Sequence, residues 1–362
     1  MLKTKLKVAV LHFLSSIPFF DLSGIKSRVY RAFGAEIGEH VYFAPSALIL
    51  VSDFKKLKIG DGVAFGPNVK INCDELEVGE DARFAWGVTA AGPSVLKVGK
   101  GCYIAPKVYI DLNESVIIED DVGIGADYIF THSVWHPITE GGHRNFAPVH
   151  IKRGAWIPAG VFIMPGVTIG ENATVGARSL VINDVPDGCL VVGIPAKLKK
   201  TAEENRKELS LEEKDTIIKD IIEEYLRQTK KNNMVFYENR YSEEPFQVIE
   251  VESKEKNKIL ARKRRWALIY KNNAINANHM VRLASFCKRF DLVLFISLVS
   301  IQTKIIEGLN NEVFSNIVWF CIESKMRKKS WDKIAMSLHE FFRSRYGIRF
   351  RLHKTSKGCI DS

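Results

Sequence analysis

The sequence lacks several features that mark other protein classes. It has no run of about 18 apolar residues, which argues against a transmembrane helix. Its six cysteines are scattered without a CxxC pair, so separate reduced thiols are expected rather than a disulfide framework or a cysteine zinc site. Residues 1–20 start with lysines and a short apolar stretch, but no small-residue cleavage site follows. We therefore expect a cytoplasmic protein.

Aliphatic residues recur every six positions in the middle of the chain. The clearest series is Ile151, Ile157, Ile163, Ile169, Val175 and Val181. A period of six fits neither an α-helix nor an ordinary strand. It is typical of a β-solenoid, in which each hexad forms one flat side and stacked coils bury the aliphatic columns. Earlier repeats begin at Ile37, Ile59, Val78, Val98 and Ile118. These coils are longer than three hexads, so the extra residues are expected to bulge at a corner.

Composition divides the chain into three parts. Residues 1–36 are predicted to form short helices, and the solenoid covers residues 37–200. Residues 202–231 have apolar positions at helical spacing, and beyond them strand-like and helix-like patterns alternate. This alternation predicts a C-terminal α/β domain over residues 201–362. The predicted strands are Phe246–Val251, Trp266–Tyr270, Leu292–Val299 and Ile317–Phe320, and the predicted helices are Val281–Phe286, Ile301–Leu309 and Lys328–Arg345.

The first N-terminal helix has two interpretations. It packs on the end of the solenoid, or it lies as an amphipathic helix on a membrane surface, because Lys3, Lys5 and Lys7 flank apolar residues. The second interpretation would place the protein peripherally at the inner face of the membrane.

Residues 131–147 leave the hexad pattern, which resumes near Val149. A loop on a rigid scaffold is a common place for function. The loop carries His132, His136 and His143, and histidine is the usual side chain for proton transfer near neutral pH. Transfer of an acyl group to a hydroxyl needs such a base. His132 stands where the coil still holds the chain rigidly, which favours it as the base over His136.

Further elements accompany the hexads and the loop. They are HSVWH, Ala155-Trp156-Ile157, PGVTIG at 165–170, VGARSLV at 175–181 and GIPAK at 193–197. With these elements in this order, residues 37–200 resemble the left-handed β-helix acyltransferases with hexapeptide repeats, in the branch of galactoside, maltose and polysaccharide O-acetyltransferases. The resemblance covers about half of the chain. It implies a left-handed parallel β-helix, acetyl-CoA as co-substrate, no metal, and a carbohydrate acceptor in cell-surface polysaccharide or lipopolysaccharide synthesis. It also implies a homotrimer with the coenzyme between two subunits.

The resemblance assigns residues to the coenzyme. Trp156 matches the family's tryptophan downstream of the catalytic histidine. Backbone groups near Ala159 and Ala177 would contact the pantetheine arm. Lys197 and Lys200 match basic positions near the coenzyme's phosphates, although a solvated lysine run is the simpler alternative.

The catalytic and acceptor side is assigned in the same way. His132 matches the family's catalytic histidine. An acceptor-binding asparagine of the preceding coil falls near Asp111 or Asn113, and His136 is assigned to acceptor binding.

Two positions depart from the family pattern. The common Trp-Ile-Gly is Trp156-Ile157-Pro158 here, and a proline has no backbone N–H to offer the coenzyme groove. The common Gly-Ala-Gly is Gly176-Ala177-Arg178, which brings a large cation that could gain a coenzyme phosphate.

Other functions stay open at this point. N-acylation of an amino-sugar nucleotide would use the same scaffold and coenzyme. A metal site built from His132, His136 and His143 is disfavoured, because Pro137 and Gly141–Gly142 break any helical presentation of these histidines. A γ-type carbonic anhydrase would hold zinc with histidines from neighbouring subunits, and the GIPAK exit and the single loop argue against it. A non-catalytic scaffold is the last alternative.

The C-terminal part is strongly basic. Residues 254–362 hold 23 basic and 8 acidic side chains, including the clusters ARKRRW at 261–266, KMRKK at 325–329 and RSRYGIRFR at 343–351. A solvated basic face, or a surface for an anionic glycan or membrane, explains this charge. No nucleic-acid-binding motif accompanies it.

Overall fold

The structure is a computed structural model. It describes residues 2–16, 23–231, 235–243, 246–254, 263–271, 283, 291–297, 316–322, 326–327, 333–346 and 351–352. The chain forms two compact units, Met1–Lys207 and Glu208–Ser362. This division lies slightly beyond the boundary expected at residue 200. The reason is that Asn205 and Arg206 donate hydrogen bonds to backbone carbonyls of the last coils, from Asn205 Nδ2 to Gly188 O at 2.9 Å and from Arg206 Nη2 to Asn172 O at 3.2 Å.

The first unit is a β-solenoid with three parallel sheets. The first face consists of β1 (Glu36–Ile37), β4 (Leu57–Ile59), β7 (Glu75–Val78), β10 (Val95–Val98), β13 (Val116–Ile118), β18 (Val149–Ile151) and β21 (Thr168–Ile169). The second face consists of β2 (Tyr42–Phe43), β5 (Ala64–Phe65), β8 (Arg83–Phe84), β11 (Tyr103–Ile104), β14 (Gly123–Ile124), β19 (Trp156–Ile157), β22 (Thr174–Val175), β24 (Leu190–Gly193) and the antiparallel β25 (Ala196–Lys200). The third face consists of β3 (Leu48–Val51), β6 (Lys70–Cys73), β9 (Thr89–Ala91), β12 (Tyr109–Asp111), β15 (Tyr128–Ile129), β20 (Phe162–Ile163) and β23 (Leu180–Val181).

The interior follows the predicted hexads. Ile118, Ile151 and Ile169 stack in register on the first face, and each is at most 1% exposed. The six-residue series from Ile151 to Val181 is buried throughout. The solenoid prediction is therefore confirmed.

The extra residues of the longer coils collect at one corner, between the third and first faces. In the first coil, a short 3₁₀ helix at Phe54–Lys56 fills this corner. In a later coil, the chain leaves β15 at the same corner and makes a hairpin of β16 (His132–Trp135) and β17 (His143–Phe146) before returning to β18. The corner that accommodates insertions is thus also where the loop histidines lie.

Corner residues in the left-handed region stack from coil to coil after the first face. Along this column, side chains alternate with glycines: His40, Gly62, Asp81, Gly101, Asp121, Gly154, Asn172 and Gly188. A Cβ added to Gly154 would lie 2.4 Å from Asn172 Oδ1. The side chain of one coil therefore requires glycine in the coil beneath it.

The N-terminal helices α1 (Leu2–Ser15) and α2 (Ser23–Ala32) close the open end of the solenoid. Lys7 Nζ donates to Phe33 O at 3.2 Å and Ser15 Oγ donates to Ala47 O at 3.0 Å. These contacts support the interpretation in which α1 packs on the solenoid end. Among the residues that the structure describes, no helix has both the length and the apolar character needed to cross a membrane.

Lys26 of α2 is the polar centre of this cap. It is 1% exposed, and its Nζ donates to the carbonyls of Ala44, Pro45 and Ala47 at 3.1, 2.5 and 2.8 Å. Burial lowers the pKa of Lys26 to about 8, so the side chain is still mostly protonated at neutral pH. One ammonium group thereby satisfies three carbonyls in the first coil, at the corner between the second and third faces.

Replacement of Lys26 by methionine is expected to lower the free energy of local opening of the first coil by about 3 kcal/mol, because buried carbonyls lose their donor. Hydrogen exchange of amides in residues 41–51 measures this change. The control is Arg28→Met on the exposed side of the same helix, which should change the value by less than about 0.5 kcal/mol. Equal effects of the two variants would contradict the capping role of Lys26.

The second unit contains a mixed sheet. Its strands, in spatial order, are β26 (Val235–Glu243), β27 (Phe246–Lys254), β28 (Lys263–Lys271), β29 (Leu292–Ser297), β30 (Ile317–Cys321), β31 (Met326–Arg327) and β32 (Arg351–Leu352). The pairs β28–β29 and β29–β30 are parallel, whereas β26–β27 and β27–β28 are antiparallel. Strands thus lie at all four predicted positions. The strand β26 was not predicted, because its residues VFYENRYSE are mostly polar.

Among the described residues, the helices that pack on the sheet of the second unit are α4 (Leu211–Lys231) and α5 (Lys333–Tyr346). The predicted helix over 202–231 is divided into α3 (Ala202–Asn205), which belongs to the first unit, and α4 (Leu211–Lys231). The helix α5 (Lys333–Tyr346) corresponds to the predicted Lys328–Arg345. Tyr225 of α4 and Phe341 of α5 make an edge contact with ring centroids 5.3 Å apart. Of the predicted helices 281–286 and 301–309, all but residue 283 lies outside the described residues.

Candidate active site

The solenoid brings Asp111 and His132 together where the hairpin leaves the coil. Tyr109 and Ile110 of β12 pair with Tyr128 and Ile129 of β15, so the end of β12 lies beside the residues that follow β15. The Asp111 Oδ2 atom lies 2.6 Å from His132 Nδ1. These residues are 21 positions apart, which is about one coil.

Asp111 is held in place by a set of donors. It is 2% exposed, and its Oδ2 also accepts hydrogen bonds from the backbone N–H of Thr131 at 3.0 Å and from Thr131 Oγ1 at 2.8 Å. Asn113 Nδ2 donates to Asp111 Oδ1 at 2.7 Å. Burial alone would raise the pKa of Asp111, but the hydrogen bonds from His132, Thr131 and Asn113 outweigh it and hold the pKa below its usual value. Asp111 is therefore a carboxylate at neutral pH.

A buried carboxylate decides the tautomer of its histidine partner. Because ionised Asp111 only accepts hydrogen bonds, the proton on His132 must be on Nδ1. The other ring nitrogen, Nε2, then carries a lone pair. The His132 side chain is 38% exposed, so this nitrogen is available to a substrate. The pair has the geometry of a general base with an orienting carboxylate.

The structure places Asp111 behind His132 rather than at the surface. Protein donors already occupy both of its oxygens, so this geometry favours a positioning role over the expected contact with an acceptor. Asn113 lies partly exposed beside the histidine, with its Nδ2 atom 3.0 Å from His132 Nδ1. Thr131 was not among the predicted site residues, and its position directly before the candidate base was the signal that could have identified it.

The hairpin spreads the three loop histidines along its length. His132 pairs with Phe146 at the base, and His143 pairs with Trp135 three residues farther out. His136 follows β16, is exposed and has a left-handed φ of 62°. At about 3.3 Å per strand residue, His136 lies more than about 10 Å along the chain from His132. Among the described residues, no group of three or more metal-ligating side chains is close enough to hold a metal ion.

The residues expected to bind the coenzyme lie on other parts of the solenoid. Trp156 is 50% exposed on the second face. The register continues from Trp156 to Thr174, Leu190 and Lys200, so Trp156 and Lys200 share this face. Lys197 is also exposed and pairs with Val192.

Ala159, Ala177 and Arg178 lie together at the corner between the second and third faces. All three are exposed, and Arg178 N donates to Ala159 O at 3.2 Å. Within one chain, the structure therefore puts this corner and His132 on opposite edges of the third face.

The corner also explains how Arg178 is accommodated at a position where the resemblance led us to expect glycine. Arg178 has a left-handed φ of 59° and covers Gly160, which has a φ of 84°. A Cβ on Gly160 would lie 3.0 Å from Arg178 Cγ. At this corner too, residues with side chains alternate with glycines from coil to coil, and Arg178 is one of the residues with a side chain. Its guanidinium lies at the exposed edge.

The missing N–H of Pro158 has a specific place in the hydrogen-bond ladder. At the equivalent position of neighbouring coils, Gly125 N donates to Ile157 O at 2.6 Å and Gly176 N donates to Val191 O at 2.7 Å. These N–H groups point along the stack of coils. The proline therefore removes a rung between coils rather than a donor that faces the exposed corner.

Comparisons with known proteins identify a family model and relatives that match part of the chain. The family described as "Bacterial transferase hexapeptide (six repeats)" matches residues 148–183. Hexapeptide repeats of this family imply that the coil is left-handed.

The curated relatives of this chain include two acetyltransferases of different kinds. A galactoside O-acetyltransferase from Lactococcus lactis is 31% identical over 111 residues, which are 28% of this chain and 54% of that protein. A serine acetyltransferase from Buchnera aphidicola is 33% identical over 122 residues, which are 32% of this chain and 42% of that protein. The chain thus spans about half the length of the curated relatives it matches.

The solved structures that are similar to this chain include an N-acyltransferase. It is a variant of AntD, an N-acyltransferase from Bacillus cereus, in complex with dTDP-4-amino-4,6-dideoxyglucose and coenzyme A. The identity is 17% and the TM-score is 0.36, with 58% of this chain and 98% of that chain covered.

The basic clusters of the C-terminal unit are only partly described. Arg327, in the KMRKK cluster, is 1% exposed, so this residue is not part of a solvated basic face. Most of the other basic residues of the clusters are outside the described residues or have no described side chain. A basic surface for an anionic glycan or membrane therefore stays a prediction.

Proposed function

We propose that the chain is an acetyl-CoA-dependent O-acetyltransferase that acts on a sugar hydroxyl in cell-surface polysaccharide or lipopolysaccharide modification. The observation that carries this proposal is the His132–Asp111 pair at 2.6 Å, with His132 Nε2 free to accept a proton. The aligned galactoside O-acetyltransferase supports the acceptor class.

The proton transfers follow from the tautomer of His132. Nε2 takes the proton from the acceptor hydroxyl as the hydroxyl oxygen attacks the acetyl carbonyl carbon. Asp111 stabilises the imidazolium that forms, because its carboxylate accepts the hydrogen bond from Nδ1. His132 then returns the proton to the leaving sulfur. Acetyl-CoA supplies the activated acetyl group as a thioester.

The exposed residues of the solenoid fit such a co-substrate. Small side chains at Ala159 and Ala177 leave their backbone accessible, and Trp156 offers an exposed apolar surface. Arg178, Lys197 and Lys200 would pair with the coenzyme's phosphates. Asn113 and His136 would contact the acceptor, Asn113 through its amide oxygen.

We propose a homotrimer on the same basis. Ala159, Ala177 and Arg178 lie at one edge of the third face and His132 lies at the other, so a second copy would complete a site between two chains. The third face is also apolar: Tyr128 and Phe162 stack with ring centroids 4.9 Å apart and are 42% and 41% exposed.

We also propose a cytoplasmic location, with peripheral attachment to the inner face of the membrane as the alternative.

The test is acceptor-dependent release of CoA by the full-length protein, with the released thiol and the acetylated product both measured. The acceptors are methyl galactoside, methyl glucoside, a polysaccharide hydrolysate, L-serine and an amino-sugar nucleotide. We expect release with sugar hydroxyls and an alkali-labile ester product. An alkali-stable amide formed on the amino sugar would establish N-acylation instead. Binding of acetyl-CoA with no release for any acceptor would favour the scaffold, and zinc-dependent hydration of carbon dioxide would establish the carbonic anhydrase.

A further inference from the structure

The hairpin has one face that is shared with the candidate base. In the antiparallel pair of β16 and β17, His132 lies opposite Phe146, and Val134 lies opposite Arg144. Because side chains alternate along a strand, His132, Val134, Arg144 and Phe146 project from the same face of the hairpin. We call these four residues the base face.

The side chains on the base face form a continuous stack. The ring centroids of His132 and Phe146 are 5.6 Å apart, with the planes tilted by 33°. The guanidinium carbon of Arg144 lies 4.8 Å from the centroid of the Phe146 ring. A cation at this distance over an aromatic ring is held in position. The stack therefore orders a guanidinium, an aromatic ring and the imidazole along the hairpin.

The base face is open to solvent although much of it is apolar. Val134 is 51% exposed and Phe146 is 38% exposed. Arg144 is also exposed. Among the described residues, the only partner of its side chain is the ring of Phe146, and no carboxylate forms an ion pair with it. Asp111, the carboxylate that contacts the candidate base, is buried and engaged with His132. An exposed guanidinium with no acidic partner has hydrogen-bond donors left for an anionic ligand.

We propose that the base face binds the acceptor and that Arg144 selects a sugar with a negatively charged substituent, either a carboxylate or a phosphate. This inference rests on the proposed function. The ring of Phe146 packs against the apolar face of the sugar, and Arg144 pairs with the anionic group in a bidentate contact. Arg144 lies opposite Val134, which is two residues from His132 along β16. The distance along the hairpin is therefore about 7 Å, which one sugar ring and its substituent can span. A hydroxyl of the same ring then reaches His132 Nε2.

The proposal is tested by the ratio of kcat/KM values for matched acceptors. The probes are methyl glucuronide and glucose 1-phosphate, each compared with methyl glucoside. For the wild type, we expect a ratio of at least about 30 in favour of one anionic sugar, because a charge-assisted bidentate contact has that effect. The anionic probe that is preferred identifies carboxylate or phosphate as the recognised group. Arg144→Met should reduce the ratio to near one, and Arg144→Lys should restore part of it.

A second readout does not depend on turnover. Calorimetry of the same probes with the wild type and Arg144→Met, in the presence of CoA, measures the difference in Kd directly. The matched control is Arg153→Met, which removes an exposed arginine from another corner and should keep the preference of the wild type. An equal Kd for charged and neutral sugars in the wild type would overturn the inference even if acetyl transfer occurs. An increase in KM for acetyl-CoA in Arg144→Met with an unchanged sugar ratio would assign the guanidinium to the coenzyme's phosphates and would also overturn it.

Discussion

Replacement of His132 by alanine is expected to lower kcat for acceptor-dependent CoA release by about 10³-fold, because the acceptor hydroxyl loses its general base. Asp111→Asn should lower kcat to within about tenfold of the value for His132→Ala. An asparagine at this position can donate a hydrogen bond from its amide to Nδ1 of His132. That contact shifts the imidazole proton to Nε2, the atom that has to accept the proton of the acceptor. Steady-state kinetics with a saturating concentration of acetyl-CoA measures both losses.

The control for Asp111→Asn is a carboxylate that has no histidine partner. Asp184 accepts a hydrogen bond from the backbone N–H of Thr168 at 2.7 Å, and the amide oxygen of an asparagine can still accept it. Asp184→Asn should therefore keep kcat within about twofold of the wild type. The double variant of His132→Ala and Asp111→Asn should be no slower than His132→Ala alone, since the two residues act as a unit.

Two results would contradict this assignment. If Asp111→Asn keeps the wild-type kcat while His132→Ala is inactive, Asp111 does not set the tautomer. If His132→Ala remains active, the base lies elsewhere, and His136 is the next histidine to replace. Circular dichroism of each variant verifies that the solenoid is folded.

The second large effect concerns Asp127, a carboxyl group inside the solenoid. In neighbouring coils, Val108 and Val161 fill the same interior corner, and both are 0% exposed, as is Asp127. The chain is one residue shorter at this corner, since the interior residues Ile124 and Ile129 are five positions apart instead of six. Asp127 Oδ1 accepts a hydrogen bond from Val161 N at 2.8 Å, while Oδ2 has no hydrogen-bond partner among the described residues. Burial raises the pKa of Asp127 to about 7.

The stability of the solenoid is expected to fall as the pH rises from 4 to 8. The folded protein keeps the proton on Asp127 over a range in which the unfolded chain has lost it. The folded state therefore binds more protons, and the free energy of unfolding decreases with pH. The contribution is fully present below the ordinary pKa of aspartate, about 4, and is lost as the pH passes 7. The total change is roughly 4 kcal/mol, at about 1.4 kcal/mol per pH unit.

Asp127→Asn isolates this contribution, because an amide has no proton to lose and can still accept the hydrogen bond from Val161. Urea unfolding of both proteins at several pH values, followed by circular dichroism, gives the difference in free energy of unfolding. We expect the wild type to lose stability relative to Asp127→Asn as the pH rises. Asp127→Val, which restores the aliphatic column, should likewise remove the slope. Parallel curves for the wild type and Asp127→Asn would contradict the raised pKa.

The hexads were predictable because the interior of a solenoid repeats one environment. Each coil places its aliphatic residues against those at the equivalent positions of the next coil. The spacing of Ile151, Ile157 and Ile163 therefore predicts the buried columns without any knowledge of the residues that pack against them. His132 was also within reach, because it opens the segment that interrupts the period. The same reasoning could not identify the partner of His132. Coil lengths vary from one turn to the next, so the residue one coil back is not fixed by counting.

The sequence by itself determined the solenoid, the corner excursion and the candidate base, because these depend on periodicity and on its interruption. Only the tertiary structure decided what surrounds the base. It buried Asp111 behind His132, aligned Arg144 and Phe146 on the base face through the register of a hairpin, and placed Ala159, Ala177 and Arg178 at a different corner. These relations join residues of separate coils and strands. The stacking of coils and the pairing of strands determine these relations, and neither the stacking nor the pairing register follows from the order of amino acids alone.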